Sequence, residues 1–332
     1  MKKILVTGSE GFIGSHVIEE LIRHKYKVRA FVLYNSFNSI GWISDIEKKT
    51  REKIDIYFGD VRNKDSLKKA FKGIHAVIHL AALIGIPYSY ETPQSYLDTN
   101  VQGTLNILQT SMETGVNKTI ITSTSEVYGS ADYVPIDENH KLKPQSPYSA
   151  SKISADAFAM SFYNAYKLPV TIIRPFNAFG PRQSNRAIIP MIINQILLNK
   201  KVIEVGNLYP KRDFTYVKNL AGAYVKILKS RNTNGKIINI GSNFEISIKE
   251  LIQKIQKIFG TNKPVKQKKE RKRLASSEVD RLKASISLAK KIINYHSGKN
   301  YKQELNLELT KTVEWYKQNF EYYSDFSDKY IK

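Results

Sequence analysis

The first half of the chain alternates short β-branched runs with longer amphipathic segments. Apolar runs bounded by turn residues predict strands at Lys3–Thr7, Lys27–Leu33, Ile54–Phe58, Ala76–Leu80, Lys118–Thr122 and Val170–Arg174. Helical spacing of apolar residues predicts helices at Phe12–His24, Gln94–Glu113 and Pro147–Lys167, the last ended by Pro169. Strands separated by helices of this length imply parallel βαβ units with right-handed crossovers. The expected fold is therefore a Rossmann-like, doubly wound α/β sheet. After Arg174 the pattern loosens, punctuated by Pro175, Gly180, Pro181 and Pro190. Helices are expected at Ile188–Asn199, Val217–Lys229 and Ile248–Phe259, strands at Val202–Val205 and Lys236–Ile240, and a C-terminal helix ending near Asn319. There is no internal repeat. The predicted organisation is a large domain over 1–174, completed by returning segments, and a smaller lobe over 175–332 that caps the C-terminal ends of the strands. A ligand would sit in the cleft between them.

Composition narrows this picture. With 332 residues and 42% apolar side chains the chain can bury a large core. The absence of cysteine excludes disulfides, thiolate zinc sites and a cysteine nucleophile, and no metal is expected. No apolar run approaches the ~20 residues of a spanning helix. The basic and then apolar start, Met1 to Gly8, is too short for a signal peptide and runs into a glycine loop, so a cytoplasmic protein is expected. The net charge of +22 is large, and Lys263 to Arg273 holds seven Lys or Arg and one Glu. No nucleic-acid-binding motif accompanies it. The charge reads as solvated lysine faces, with neither nucleic acid nor membrane as partner. A basic surface also attracts a substrate carrying a diphosphate.

The first predicted strand passes into the first helix through Thr7-Gly8-Ser9-Glu10-Gly11-Phe12-Ile13-Gly14. Gly8 suits a tight turn, Gly11 a close approach of backbone to a pyrophosphate, and Gly14 close packing of helix on strand. The helix N-terminus then offers free N–H groups to the phosphates. The second strand runs out through Leu33-Tyr34-Asn35-Ser36, without the carboxylate that binds the adenosine ribose or an arginine for a 2′-phosphate. Asn35 and Ser36 can bond either ribose form, which leaves NAD and NADP open with a lean to NAD. Asp60, after the third strand, is placed either to reach the adenine edge or to cap a helix.

Tyr148 and Lys152 have the i, i+4 spacing that puts both on one helix face. The Lys152 ammonium is expected to lower the Tyr148 phenol, so that a tyrosinate can take a proton from a sugar hydroxyl as hydride leaves. At the end of the fifth strand, Thr124 can bond the same hydroxyl, and Glu126 is a candidate general base.

These motifs, with His79-Leu80-Ala81-Ala82, Asp98 to Thr104, Arg174-Pro175-Phe176-Asn177, Gly180-Pro181-Arg182 and Arg212-Asp213-Phe214, resemble the NAD-dependent epimerase/dehydratase branch of the extended short-chain dehydrogenase/reductases over nearly the whole length. Within it, Thr124-Ser125-Glu126 resembles dehydratases and UDP-glucuronate decarboxylases, whereas simple 4-epimerases carry small residues at Glu126. The stretches Phe31–Ser39, Leu83–Tyr90 and Gly241–Ser247 are similar to 4,6-dehydratases of nucleotide-linked N-acetylglucosamine, which feed nonulosonic acid (legionaminic or pseudaminic acid) pathways.

The resemblance implies that NAD is held by Gly8, Gly11, Phe12, Ile13, Gly14, Asn35, Asp60, Val61, Leu80, Ala81, Ala82, Asn100, Tyr148 and Lys152, with NADP not excluded. It implies substrate contacts at Asn177, Arg212 and Arg281 on the diphosphate or ribose side, at Glu278 on the base or ribose side, and at Arg182. Thr124, Ser125, Glu126, Tyr148 and Lys152 would be catalytic. The implied reaction oxidises C4 of UDP-GlcNAc or GDP-GlcNAc, eliminates water across C5 and C6, and returns the hydride to C6. Ser125 stands where dTDP-glucose dehydratases carry an aspartic acid for the leaving hydroxyl. Elimination is therefore expected to be slow, with some 5,6-ene escaping. A homodimer through the helices near 94–113 and around Tyr148 is implied as well. The rival readings are a UDP-glucuronate decarboxylase, a 4-epimerase, and a non-enzymatic dinucleotide-sensing or RNA-binding protein on the same fold.

Overall fold

A computed structural model describes residues 2–268, 279–298 and 300–321. Its frame is a sheet of seven parallel strands. These are β1 (Lys3–Thr7), β2 (Lys27–Leu33), β3 (Ile54–Gly59), β4 (Ala76–His79), β5 (Lys118–Thr122), β6 (Val170–Pro175) and Lys236–Ile240. The order across the sheet is Lys236–Ile240, β6, β5, β4, β1, β2, β3, so the direction of winding reverses between β1 and β4. Such a reversal opens a crevice at the C-terminal strand ends. The central strands are buried on both faces, as the unbroken runs Ile4-Leu5-Val6 and Ala76-Val77-Ile78 require.

The helices of the first half are α1 (Phe12–Arg23), α2 (Lys48–Arg51), α3 (Lys64–Ala70), α4 (Ile86–Glu91), α5 (Pro93–Tyr96), α6 (Gly103–Thr114) and α7 (Pro147–Tyr166). On one face α1 and the helix Val217–Lys229 bring Val17, Ile18, Leu21, Leu220 and Tyr224 onto Ile4, Val6 and Ile78. On the other, α3, α6 and α7 bring Leu67, Ile107 and Phe162 onto Leu5, Val77 and Ile121. Each fully buried aliphatic side chain of this kind contributes roughly 1.5–3 kcal/mol. The single long helix expected over Gln94–Glu113 is instead α5, a π-helical turn at Leu97–Gln102, and α6. The wide turn carries the fully buried Asn100, and such turns cluster at functional sites.

The second lobe has its own core, in which Phe179, Ile189, Ile192, Leu251, Ile255, Leu305, Leu309 and Val313 meet between the helices Ile188–Leu197, Ile248–Phe259 and Tyr301–Gln318. The lobes interleave along the chain. After 174 the chain builds part of the second lobe, returns as Val217–Lys229 and Lys236–Ile240 to the first, and leaves again. The buried Lys118 side chain ties β5 to this return, donating to Ser230 O (2.7 Å), Thr233 Oγ1 (2.5 Å) and Asn234 Oδ1 (2.7 Å). No helix among the described residues is long and apolar enough to cross a membrane.

Candidate active site

The glycine loop leaves β1 at the crevice. Gly8 has φ +64°, and a Cβ there would lie 2.7 Å from Ala81 N. A Cβ at Gly14 would lie 2.1 Å from Gly8 O. Both positions thus exclude a side chain for reasons internal to the protein. Gly11 differs, since its Cβ would meet only Gly8 O, at 3.2 Å, and otherwise open space. Its smallness keeps a surface clear rather than relieving a clash. Gly11 is also the N-cap of α1, with no side-chain cap and no acid in the first turn. The N–H groups of Phe12, Ile13 and Gly14 have no partner within the helix, the first helical bond being Ser15 N to Gly11 O at 3.0 Å. These residues fit a pyrophosphate. Thr7 Oγ1 accepts from Leu80 N and Ala81 N, both at 3.2 Å, and contacts His79 Nδ1 at 2.7 Å, which pins Leu80, Ala81 and Ala82 beside the loop. Burial holds His79 down to about 3, so the ring is neutral.

At the adenosine end the Asn35 amide builds its own loop, donating to Leu33 O (3.1 Å) and Ser39 O (3.0 Å) and accepting from Ser39 N (2.9 Å). Asp60 is gripped by Arg62, whose Nε lies 3.0 Å from both carboxylate oxygens, and that bond holds its carboxyl below the usual range. The helix cap considered for Asp60 is supplied by Asn63, which accepts from Ser66 N at 2.9 Å. Val61 is buried against Gly103.

The reacting groups come from β5 and α7. Thr124 caps the short 3-10 helix Ser125–Tyr128, accepting from Glu126 N at 3.2 Å. Ser125 is buried, and Glu126 is half-buried. Helix α7 starts at Pro147 behind a capping box, with Ser149 N donating to Ser146 Oγ (3.1 Å) and Ser146 N to Ser149 Oγ (3.0 Å). Tyr148 therefore sits on the first turn, facing the strand ends. It is 7% exposed, shares a hydrogen bond with Thr124, and meets the edge of the Tyr96 ring at 6.2 Å between centroids.

The electrostatics run opposite to the expected lowering of Tyr148 by Lys152. Burial pushes the phenol up; the Thr124 bond opposes this and the nearby Glu126 carboxylate adds to it. Lys152 donates to Thr122 O at 2.6 Å, and burial brings its ammonium down to about 8 against the pull of Asp156. The phenol is thus held protonated, and the lysine cation rests on a backbone carbonyl.

Behind Lys152 lies a buried ion pair that the sequence reading did not single out. Asp156 Oδ2 accepts from Arg174 Nε (3.0 Å) and Ser123 Oγ (2.9 Å). Arg174 Nη1 donates to Tyr128 Oη at 3.0 Å, and that hydroxyl donates to Asn239 Oδ1 at 2.7 Å. The signal was present, since Tyr148, Lys152 and Asp156 repeat at four-residue intervals on one helix face. Asn100 also works from behind. Its amide clamps Leu83 (Oδ1 from Leu83 N at 2.8 Å, Nδ2 to Leu83 O at 2.9 Å) and reaches Ser151 Oγ at 2.9 Å. These bonds tie the π-helical turn to Leu83 and to α7.

Of the residues expected on the substrate side, Asn177 follows β6 and has its Oδ1 buried without a hydrogen-bond partner. Arg212 is buried on a strand paired with the one carrying Arg281, which is half exposed and pairs with Glu245. Arg182 is the exception. Its buried guanidinium binds Glu19 (2.7 Å) and Asp45 (2.8 Å), fastening the second half of the chain to α1, so it is a structural staple in place of a substrate contact. Glu278 lies outside the described residues. A residue not foreseen is Arg186. It is exposed, acts electrostatically on the Tyr96 phenol, lies near Gly85, and makes no ion pair among the described residues.

With this geometry in hand, the family model described as GDP-mannose 4,6 dehydratase matches residues 5–306. The mouse dTDP-D-glucose 4,6-dehydratase is 32% identical over 324 residues, covering 96% of this chain and 90% of its own. The structure of Pal from Bacillus thuringiensis superposes with a TM-score of 0.85 at 32% identity, covering 96% and 99% of the two chains. That of the UDP-glucuronic acid 4-epimerase of Bacillus cereus, in complex with UDP-glucuronic acid and NAD, gives 0.84 at 28% identity, covering 96% and 99%. The chain belongs to the GDP-mannose 4,6 dehydratase family within the extended short-chain dehydrogenase/reductases, a family of NAD-dependent sugar-nucleotide dehydratases, epimerases and decarboxylases.

Proposed function

We propose that this protein is a 4,6-dehydratase of UDP-GlcNAc or GDP-GlcNAc that uses NAD. The observation that carries the reading is the Glu126 carboxylate at the end of β5, close enough to the Thr124–Tyr148 pair to raise the Tyr148 phenol. A 4-epimerase needs only the proton and hydride machinery. A dehydratase also needs a base for C5.

Gly8, Gly11, Gly14 and the first N–H groups of α1 would hold the pyrophosphate of NAD. Bound NAD supplies a hydride acceptor, later the donor, and a formal positive charge. Burial favours the protonated phenol, so Lys152 would have to stabilise Tyr148 as the phenolate before it takes the proton of the C4 hydroxyl, with Thr124 orienting that hydroxyl. The resulting ketone acidifies C5–H, and Glu126 removes that proton. Water then leaves from C6, its proton coming from Glu126 directly or through Ser125. Hydride returned to C6 and a proton delivered to C5, balanced by the C4 hydroxyl proton that Tyr148 releases, would complete a 4-keto-6-deoxy sugar. Asn177, Arg212 and Arg281 are the residues proposed for the nucleotide diphosphate. A homodimer is part of this proposal, supported by the exposed Met112 on α6 and the exposed Phe158 and Tyr166 on α7.

A second reading, a UDP-glucuronate decarboxylase or 4-epimerase, is favoured by Arg186. An exposed guanidinium one ring, that of Tyr96, away from the reacting phenol is what a sugar carboxylate would need. The test is incubation with UDP-GlcNAc, GDP-GlcNAc and UDP-glucuronate, with NAD or NADP, read by mass spectrometry. Loss of one water from a GlcNAc nucleotide, abolished by Glu126→Gln, is expected. Loss of carbon dioxide from UDP-glucuronate would replace the dehydratase by the second reading.

A further inference from the structure

β2 ends without the carboxylate that folds of this type set against the adenosine ribose. A carboxylate nevertheless occupies that strand end, and it comes from the glycine loop. Glu10 Oε1 accepts Leu33 N at 3.0 Å, immediately where β2 stops. The Glu10 carbonyl accepts Trp42 N at 2.9 Å, and Gly41, at φ +51°, lets that loop come close. The second carboxylate oxygen, Oε2, is buried with no hydrogen-bond partner. Burial pushes the Glu10 carboxyl up, opposed first by the Leu33 bond and then by its own backbone N–H and the Ser9 hydroxyl. An orphaned carboxylate oxygen is costly, and a hydroxyl donor removes the cost. The neighbouring groups do not compete for the role. Asn35 is spent on its own loop, and Arg62, past the end of β3, is held by Asp60.

We propose that Glu10 selects the cofactor: its carboxylate at the end of β2 accepts a hydrogen bond from the adenosine 2′-hydroxyl of NAD, and its negative charge repels the 2′-phosphate of NADP. The inference rests on NAD being the cofactor of this site. It moves the selecting carboxylate from the second strand to the glycine loop, where the residue facing the ribose is set by the loop's own sequence.

Isothermal titration calorimetry on the full chain tests this with NAD, NADP and NAD lacking the adenosine 2′-hydroxyl. Wild type is expected to prefer NAD over NADP by about tenfold or more, and to lose about tenfold on removal of the hydroxyl. In Glu10→Gln and Glu10→Ala, both ratios should shrink toward unity. Unchanged ratios in folded variants would overturn the proposal. So would equal binding of all three dinucleotides by the wild type, a comparison that needs no variant. Failure of the wild type to bind any dinucleotide would overturn the cofactor reading itself, a result distinct from either of these.

Discussion

Asp156→Asn removes one charge from a pair whose side chains are 5% and 2% exposed, at Asp156 and Arg174. The substitution is nearly isosteric, so cavity formation contributes little. What it leaves is the Arg174 guanidinium buried without its counter-ion, although Nη1 keeps the Tyr128 hydroxyl at 3.0 Å. Breaking a buried pair from one side costs about 3–5 kcal/mol, a large share of the 5–15 kcal/mol typical of a domain. Arg174→Met should cost a similar amount by stranding the carboxylate. The double variant strands neither, and its cost should fall below the sum of the singles by about 2 kcal/mol or more. The consequence for catalysis passes through Lys152. The Asp156 charge supports the ammonium against burial, so its loss moves Lys152 further below about 8. The alkaline limb of the kcat profile should move to lower pH, with KM for the sugar nucleotide little changed. Urea unfolding of the four proteins and pH profiles of the folded ones measure both effects. A stability of Asp156→Asn within 1 kcal/mol of wild type, or an unmoved alkaline limb, would refute the reasoning.

Glu308, 8% exposed and bonded by Asn219, is pushed by burial from the ordinary 4.5 to about 7. Because its folded value is raised, its stabilising contribution is complete below pH 4.5 and is lost as pH climbs to about 7. Glu308→Gln should flatten this loss, which amounts to as much as about 3 kcal/mol in wild type, and parallel pH–stability curves would disprove the effect. Gly14→Ala places a methyl 2.1 Å from Gly8 O and should cost about 1–3 kcal/mol or more in stability, with loss of dinucleotide binding by calorimetry. Ser125→Asp supplies the missing acid. Early time points of the wild-type reaction should contain an oxidised, dehydrated sugar nucleotide that the variant suppresses, and its absence from wild type would count against slow elimination.

The parts read correctly from the sequence were those with local causes. Strands β1, β2 and β5 follow from apolar runs between turn residues, and their observed bounds match the periodicity. The glycine loop and the Tyr148–Lys152 face depend on spacings of three and four residues. What the sequence did not convey depends on distant partners. Arg182 has the look of a substrate ligand, but its acids lie 137 and 163 residues away. Helical periodicity runs through Asn100 without marking the π turn, because the clamp on Leu83 spans 17 residues. The Asn35 amide closes its own loop and Glu10 reaches the end of β2 through loop geometry that composition does not encode. Asp156 was legible as the next residue at four-residue spacing after Tyr148 and Lys152, but its partner Arg174 lies 18 residues away on another element.

The return of the chain from the second lobe to lay the strand Lys236–Ile240 against β6 means that no single cut separates the two lobes. A fragment ending at residue 174 would lack an edge of its sheet and the helix that covers α1. Exchange of the smaller lobe between relatives, a natural route to new donors in proteins built like beads, is closed to this architecture. Change of sugar or base has to come one side chain at a time around a frame already shared. The crossings tie the two cores to each other at more than one point along the chain.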